Sequence, residues 1–142
     1  MPPLPVLLVV AAIVVVVVVG VTWQRGEGAL RKGSGERIRP SEVALPDDAF
    51  GRGGTLLLFT SPLDTDGAAA RSVLHDAAGR SPGLRVAEVD LGARGDLAGR
   101  YAVTRTPTTF VLDEAGRLRA RIKGPPELET VRAALAAAAA EG

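Results

Sequence analysis

Residues 103–124 read VTRTPTTFVLDEAGRLRARIKG and carry the clearest fold signal in this chain of 142 residues. Two runs rich in apolar and β-branched residues flank the turn sequence DEAG, a pattern that predicts a hairpin over residues 108–122. Thr106-Pro107-Thr108 stands directly before the first of these strands. Because proline has no N–H to give to a strand ladder, we expect Pro107 at the entry to the strand.

Upstream of the hairpin, predicted strands alternate with predicted helices. TLLLFT (55–60) is typical of a buried strand, and LRVAEVD (84–90) alternates as a second strand. The spacing of apolar residues predicts helices at 67–79, 95–103 and 126–139, and a short helix and turn within 41–50. The order β-α-β-α-β-β-α indicates an α/β sandwich around a mixed sheet, roughly 100 residues in size.

This order, together with Thr106-Pro107-Thr108, the D-x-x-G hairpin and Gly124 after it, resembles the thioredoxin family over about residues 50–140. The resemblance implies a thioredoxin-like α/β/α sandwich. It also implies that Thr106, Pro107 and Thr108 form the family's cis-proline loop. In that family the backbone before the proline pairs with an extended peptide of a partner, close to strand addition. A purely structural role for the proline remains open beside peptide binding.

The resemblance also shows what this chain lacks. The family's C-x-x-C motif falls on four residues without sulfur: Asp64, Thr65, Asp66 and Gly67. Leu63 replaces the aromatic residue that often precedes the motif, and Leu58 replaces the acid often buried in the preceding strand. The chain has no cysteine, and thiol–disulfide exchange needs a thiolate. We therefore predict a redox-inactive domain with no catalytic residue, no cofactor and no metal.

Two interpretations of the acidic loop remain. Asp64 and Asp66 precede a predicted helix, where carboxylates cap free N–H groups and favour the positive helix end. The sequence DTDG is also similar to the D-x-D-G of haloacid-dehalogenase-type phosphatases, in which the first Asp attacks phosphorus. That similarity keeps an Asp-dependent hydrolase as a minor alternative.

The N-terminal segment 4–23 reads LPVLLVVAAIVVVVVVGVTW, and no charged side chain precedes Arg25. Twenty helical residues extend about 30 Å, the thickness of a bilayer core, so the segment predicts a transmembrane helix. A cleaved signal peptide is disfavoured because residues 1–5 contain no Lys or Arg.

The residues after this segment divide the rest of the chain. Residues 24–40 are rich in glycine and mixed charge, which predicts a flexible basic linker, and residues 41–142 form the thioredoxin-like domain. Five Lys or Arg residues lie in the flank that follows the span, residues 24–40, and none precedes the span. The positive-inside rule then places the N-terminus outside and the domain in the cytoplasm. A net charge of +1 gives no indication of a nucleic-acid partner.

These features together predict a single-pass protein of a bacterial cell membrane. Its redox-inactive domain is expected to bind another protein or to serve as a structural or accessory subunit, and no enzymatic activity is expected. The alternative is an accessory member of a thiol–disulfide redox pathway whose chemistry a partner performs.

Overall fold

The computed structural model describes residues 3–26 and 29–141. The described residues form four α-helices, five strands and a short 3-10 helix at Pro40–Val43. The α-helices are α1 (Leu4–Gly26), α2 (Gly67–Ala78), α3 (Asp96–Arg100) and α4 (Leu128–Glu141). The strands are β1 (Ala29–Lys32), β2 (Gly54–Thr60), β3 (Leu84–Asp90), β4 (Thr108–Leu112) and β5 (Leu118–Lys123).

The five strands form one mixed sheet in the order β1-β5-β4-β2-β3. β2 and β3 are parallel, whereas β4 runs antiparallel to β2 and β5 runs antiparallel to β4. The predicted order β-α-β-α-β-β-α and the mixed sheet are therefore confirmed. Every residue of β2 is buried, because helices cover both faces of this central strand.

Two apolar clusters lie on opposite faces of the sheet, since alternate residues of a strand point to opposite sides. On one face, Leu56 and Leu58 of β2 pack against α2 and α4. On the other, Leu57 and Phe59 pack with α3 and with the segment around Ile38. Phe59 and Phe110 meet edge to face at 4.7 Å between ring centroids, a favoured aromatic geometry.

Residues 24–40 were predicted to be a flexible linker, but most of the described residues in this range are ordered. Residues 27 and 28 lie outside the described residues, but 29–32 form β1, which pairs antiparallel with β5. Arg37 makes a further bridge to Arg117, and Ile38 is fully buried in the core. Residues 29–38 are ordered because backbone pairing with β5 and burial of Ile38 offset the entropy of their glycines.

The predicted transmembrane segment, residues 4–23, lies within α1. Between Leu4 and Val19 the large apolar side chains of α1 are exposed, by 49% to 70%. Over the residues that the structure describes, no helix meets the combined length and apolar character required to cross a membrane. The predicted span is thus not supported by the structure.

Candidate functional site

Three loops meet at one end of the sheet. The parallel strands β2 and β3 both end there, and the antiparallel strand β4 begins there, opposite the end of β2, with Thr108 paired to Phe59. The Leu91 N–H donates to the Thr60 carbonyl at 2.8 Å, which ties the loop after β3 to the end of β2. The fold therefore brings the two predicted sites, residues 64–67 and 106–108, to the same end of the sheet.

Asp64 closes the loop before α2. Its Oδ1 accepts a hydrogen bond from the Asp66 N–H at 2.9 Å, while its Oδ2 is buried and has no hydrogen-bond partner within the described part of the chain. The carboxylate is thus turned into its own loop. That orientation does not favour Asp64 as an aspartyl nucleophile, which has to reach a substrate.

The two aspartates predicted to cap α2 differ: Asp66 makes no capping hydrogen bond, whereas Asp64 accepts one from a backbone N–H just before the helix. Asp66 is the residue at the N-terminal cap of α2, but its side chain makes no capping hydrogen bond. Its backbone, with φ −98° and ψ −1°, is near-helical, whereas capping residues usually have extended backbone. Asp64 instead satisfies the N–H of the cap residue itself, and Thr65 lies exposed between the two.

Gly67 begins α2 and faces a small space under the loop. A Cβ atom at this position would lie 3.6 Å from Arg71 Nη2, 3.7 Å from Thr60 Cγ2 and 4.0 Å from Asp64 Oδ2. These are ordinary van der Waals separations, so a small side chain fits there.

Below this space lies a polar network that the sequence analysis missed. Arg71 donates to Glu88 from Nε at 2.7 Å and from Nη2 at 3.0 Å, and Thr60 Oγ1 donates to Glu88 Oε1 at 2.9 Å. The hydrogen bonds from Arg71 hold the pKa of Glu88 below its ordinary value, against the opposing effect of burial. A signal was present: Glu88 follows Leu84 and Val86 at the two-residue spacing of the strand face that packs against α2.

The proline loop combines buried and available backbone groups. The Thr106–Pro107 peptide bond is cis. The Pro107 carbonyl accepts from the Gly124 N–H at 2.8 Å, and Thr108 Oγ1 donates to the Arg105 carbonyl at 2.5 Å. The backbone N–H and C=O of Thr106, by contrast, have no hydrogen-bond partner within the described residues. They form a donor and an acceptor that an incoming backbone can use.

Two leucines replace functional positions of the resemblance, and they differ in burial. Leu58 is completely buried in β2, between β3 and β4. It occupies the position at which the resemblance implies a buried acid. Leu63 is 92% exposed in the loop after β2. An aliphatic side chain this exposed, at the end of the sheet where the loops meet, is the strongest apolar contact point of the candidate site.

Comparison with solved structures identifies the fold. A designed protein matches with a TM-score of 0.54 at 21% identity, covering 68% of this chain and 85% of its own. Mitochondrial thioredoxin 3 of Saccharomyces cerevisiae, in its oxidised form, matches with a TM-score of 0.52 at 18% identity, covering 60% of this chain and 78% of its own. Thioredoxin of Fasciola hepatica gives 0.51 at 17% identity, covering 61% and 81%.

The chain has a thioredoxin-like fold. No family model and no curated protein sequence matches it. In this thioredoxin-like chain the helix that begins beside the loop at 64–67 carries no sulfur, because the whole sequence lacks cysteine. The part of the chain that the structure describes also holds no group of three His, Asp or Glu side chains arranged to bind a metal ion.

Proposed function

We propose that this chain is a redox-inactive thioredoxin-like module that binds an extended segment of another protein. The binding surface is the end of the sheet at which Leu63 and Thr106 lie. The observation that carries the proposal is the 92% exposure of Leu63 in the loop that leaves β2. An exposed aliphatic side chain supplies affinity, and the backbone groups of Thr106, at the same end of the sheet, supply direction. In strand-addition complexes, too, backbone hydrogen bonds and side-chain contacts have separate roles in binding.

The chemistry available at this end of the sheet supports binding rather than catalysis. The chain has no cysteine, so it cannot exchange disulfides. The Asp64 carboxylate is engaged with the Asp66 N–H, and the Arg71 guanidinium is engaged with Glu88. No observation favours the Asp-dependent hydrolase. An accessory role in a thiol–disulfide pathway uses the same binding surface and differs only in the partner.

We further propose that α1 attaches the protein to the cell membrane, with the domain on the cytoplasmic side. The proposal rests on the sequence of residues 4–23 and on the exposed apolar side chains between Leu4 and Val19. Removing such side chains from water is favourable by roughly 25 cal/mol per Å². Orientation rests on the Lys and Arg residues that follow α1 and are absent before it.

Site-specific crosslinking tests the binding site. A photoreactive amino acid placed at position 63 of the full chain, in its native cells, should capture a discrete partner. The same residue at Ala115, exposed in the turn at the opposite end of β4, should not. Leu63→Asp should reduce capture by a crosslinker placed at Thr106, without lowering the free energy of unfolding. Equal capture from positions 63 and 115 would contradict the proposal.

Two reporter fusions test the topology. A C-terminal fluorescent protein that matures only in the cytoplasm should be bright, and a C-terminal alkaline phosphatase that is active only outside should be silent. The reverse pair of results would show that the domain faces the exterior. Extraction of the full chain by alkaline carbonate would show that α1 does not anchor it.

A further inference from the structure

Charge is divided very unevenly over this chain. Residues 29–39 and 117–123, which we call the basic edge, contain eight of the 17 Lys and Arg residues but one of the 16 acidic residues, Glu36. The rest of the chain has nine basic and fifteen acidic residues. A net charge of +1 thus conceals +7 at the basic edge and −6 elsewhere. Counting Asp113 and Glu114 of the adjoining turn with the basic edge still leaves it at +5.

The strand register concentrates this charge. Arg31 of β1 lies directly opposite Arg121 of β5, and Arg37 lies directly opposite Arg117. Like charges in directly opposed positions destabilise an antiparallel pair. An external anion bound beside these arginines would offset the repulsion between them.

Arg121 is held by an aromatic ring and by backbone carbonyl groups, with Glu36 as a nearby opposite charge. Its guanidinium lies 4.5 Å from the centroid of the Phe110 ring and donates to the carbonyl oxygens of Tyr101 and Ala102. Partial burial lowers its pKa from the ordinary arginine value. On the same strand, Arg119 pairs with Asp113 at 2.8 Å. Among the described residues, Asp113 is the carboxylate within salt-bridge distance of a β5 cation.

The position of the basic edge in the chain indicates what covers it. β1 begins at Ala29, three residues after α1 ends at Gly26. Two Cα atoms three residues apart are at most about 10 Å from each other, so the basic edge begins close to the end of α1. A surface that receives the apolar side chains of α1 therefore lies within reach of these cations. Among biological surfaces, a bilayer with anionic headgroups offers both properties.

We propose that the basic edge docks on anionic phospholipid headgroups of the membrane to which α1 attaches the chain. The proposal rests on the membrane attachment proposed above. Each Lys or Arg near an anionic bilayer strengthens binding by about fivefold. Docking on the β1 side of the sheet turns the opposite edge strand, β3, away from the membrane.

Because the chain has no cysteine, a single introduced cysteine gives a clean reporter of docking. Ser34→Cys lies exposed within the basic edge, and Ala93→Cys lies exposed in the turn after β3. The full chain, labelled at one of these positions, is reconstituted in vesicles of phosphatidylcholine alone or with about a third phosphatidylglycerol. Energy transfer from the label to acceptors on the lipid headgroups then measures its distance from the surface.

The label at position 34 should move toward the surface only in anionic vesicles, and the label at position 93 should not. Raising the salt to about 0.5 M shortens the screening length to about 4 Å and should reverse the approach. Arg31→Gln, Arg37→Gln and Arg117→Gln together should lower the ratio of docked to undocked protein by about 100-fold. Arg52→Gln, Arg80→Gln and Arg132→Gln, three exposed arginines elsewhere, change the net charge equally and should leave docking intact.

The outcomes separate the two proposals. If the chain fails to float with vesicles of either composition, the membrane attachment is wrong and the docking falls with it. If it floats with both and the label at position 34 responds to neither lipid charge nor salt, attachment stands and docking is overturned. Should the triple variant of the basic edge lose its fold, the salt response of the unsubstituted arginines decides.

Discussion

Arg71 of α2 and Glu88 of β3 form a two-point ion pair, with Nε to Oε2 at 2.7 Å and Nη2 to Oε1 at 3.0 Å. A bidentate guanidinium–carboxylate pair fixes orientation as well as distance. The pair joins the first turns of α2 to the edge strand β3, directly below the loop that carries Leu63. It therefore holds the candidate binding loop in place without contributing a reactive group.

Glu88→Gln should lower the free energy of unfolding at neutral pH by about 0.5–1 kcal/mol, since the pair is partly exposed. The folded-state pKa of Glu88 is below its ordinary value of 4.5, so its stabilisation is fully present above that value. It is lost as the pH falls through the lower, folded-state pKa. Denaturant unfolding of both proteins at a series of pH values should show the difference shrinking toward zero in acid.

Asp76→Asn is the matched control for this titration. Asp76 is exposed near the end of α2, and its Oδ1 lies 3.8 Å from Nη2 of Arg80 in the turn that follows the helix. Pairs of this kind contribute little. A difference between Glu88→Gln and the unsubstituted chain that persisted unchanged in strong acid would mean that packing, and not the charge of Glu88, causes it.

Ile38→Ala tests whether the segment before the 3-10 helix belongs to the folded domain. Ile38 is 1% exposed and packs in the cluster that contains Phe59 and Phe110. Loss of its side chain should lower the free energy of unfolding by about 2–4 kcal/mol. Leu30→Ala, on β1 and 42% exposed, should cost much less. If both substitutions lower the free energy of unfolding by the same small amount, the flexible linker predicted from the sequence would be supported.

The strand β2 could be predicted from the sequence, whereas the strand β1 could not. TLLLFT is a continuous apolar run bounded by turn residues, and a strand buried on both faces has few alternatives. ALRK contains one large apolar side chain, Leu30, between glycines. This segment forms a strand because it pairs with β5, which is far along the chain. The local sequence pattern does not reveal such a pairing.

The candidate site divides in the same way. Thr106-Pro107 was predictable because a proline at a strand entry, next to a D-x-x-G hairpin, is a local signal. The link between Arg71 and Glu88 was not, because it depends on how α2 lies across β3. Asp66 does not cap α2 with its side chain, and the sequence does not show that its backbone is already near-helical.

The purified chain should not accelerate reduction of insulin disulfides by dithiothreitol. The physical reason is that it contains no thiol, and its one sulfur atom belongs to Met1. Turbidity of precipitating insulin chains measures the rate, in protein shown to be free of host thioredoxin. A rate above that of the buffer and reductant would contradict the proposal that the domain is redox-inactive.

The double substitution Asp64→Cys, Gly67→Cys should create a disulfide-forming pair at the start of α2. The structure leaves room for it, since a Cβ on Gly67 meets its nearest neighbour, Arg71 Nη2, at 3.6 Å. The thiol at position 64 should have a pKa below its usual value of about 8.5, because the helix N-terminus and the Arg71 guanidinium both favour a thiolate. Thiolate absorbance against pH, and the reduction potential of the pair, measure the two effects.

Gly67→Cys alone and Asp64→Cys with Ala68→Cys are the controls, the second because Ala68 is the next residue of α2 and is exposed, whereas Gly67 is buried. Only the pair at 64 and 67 should close readily and catalyse insulin reduction. Because the buried Leu58 supplies no acid to move a proton, that catalysis should be slow. Adding Leu58→Asp should raise the rate at a cost in stability, as burying a carboxyl group is unfavourable. If the pair at 64 and 67 never closes while that at 64 and 68 does, the alignment of this loop with the C-x-x-C motif is wrong by one residue.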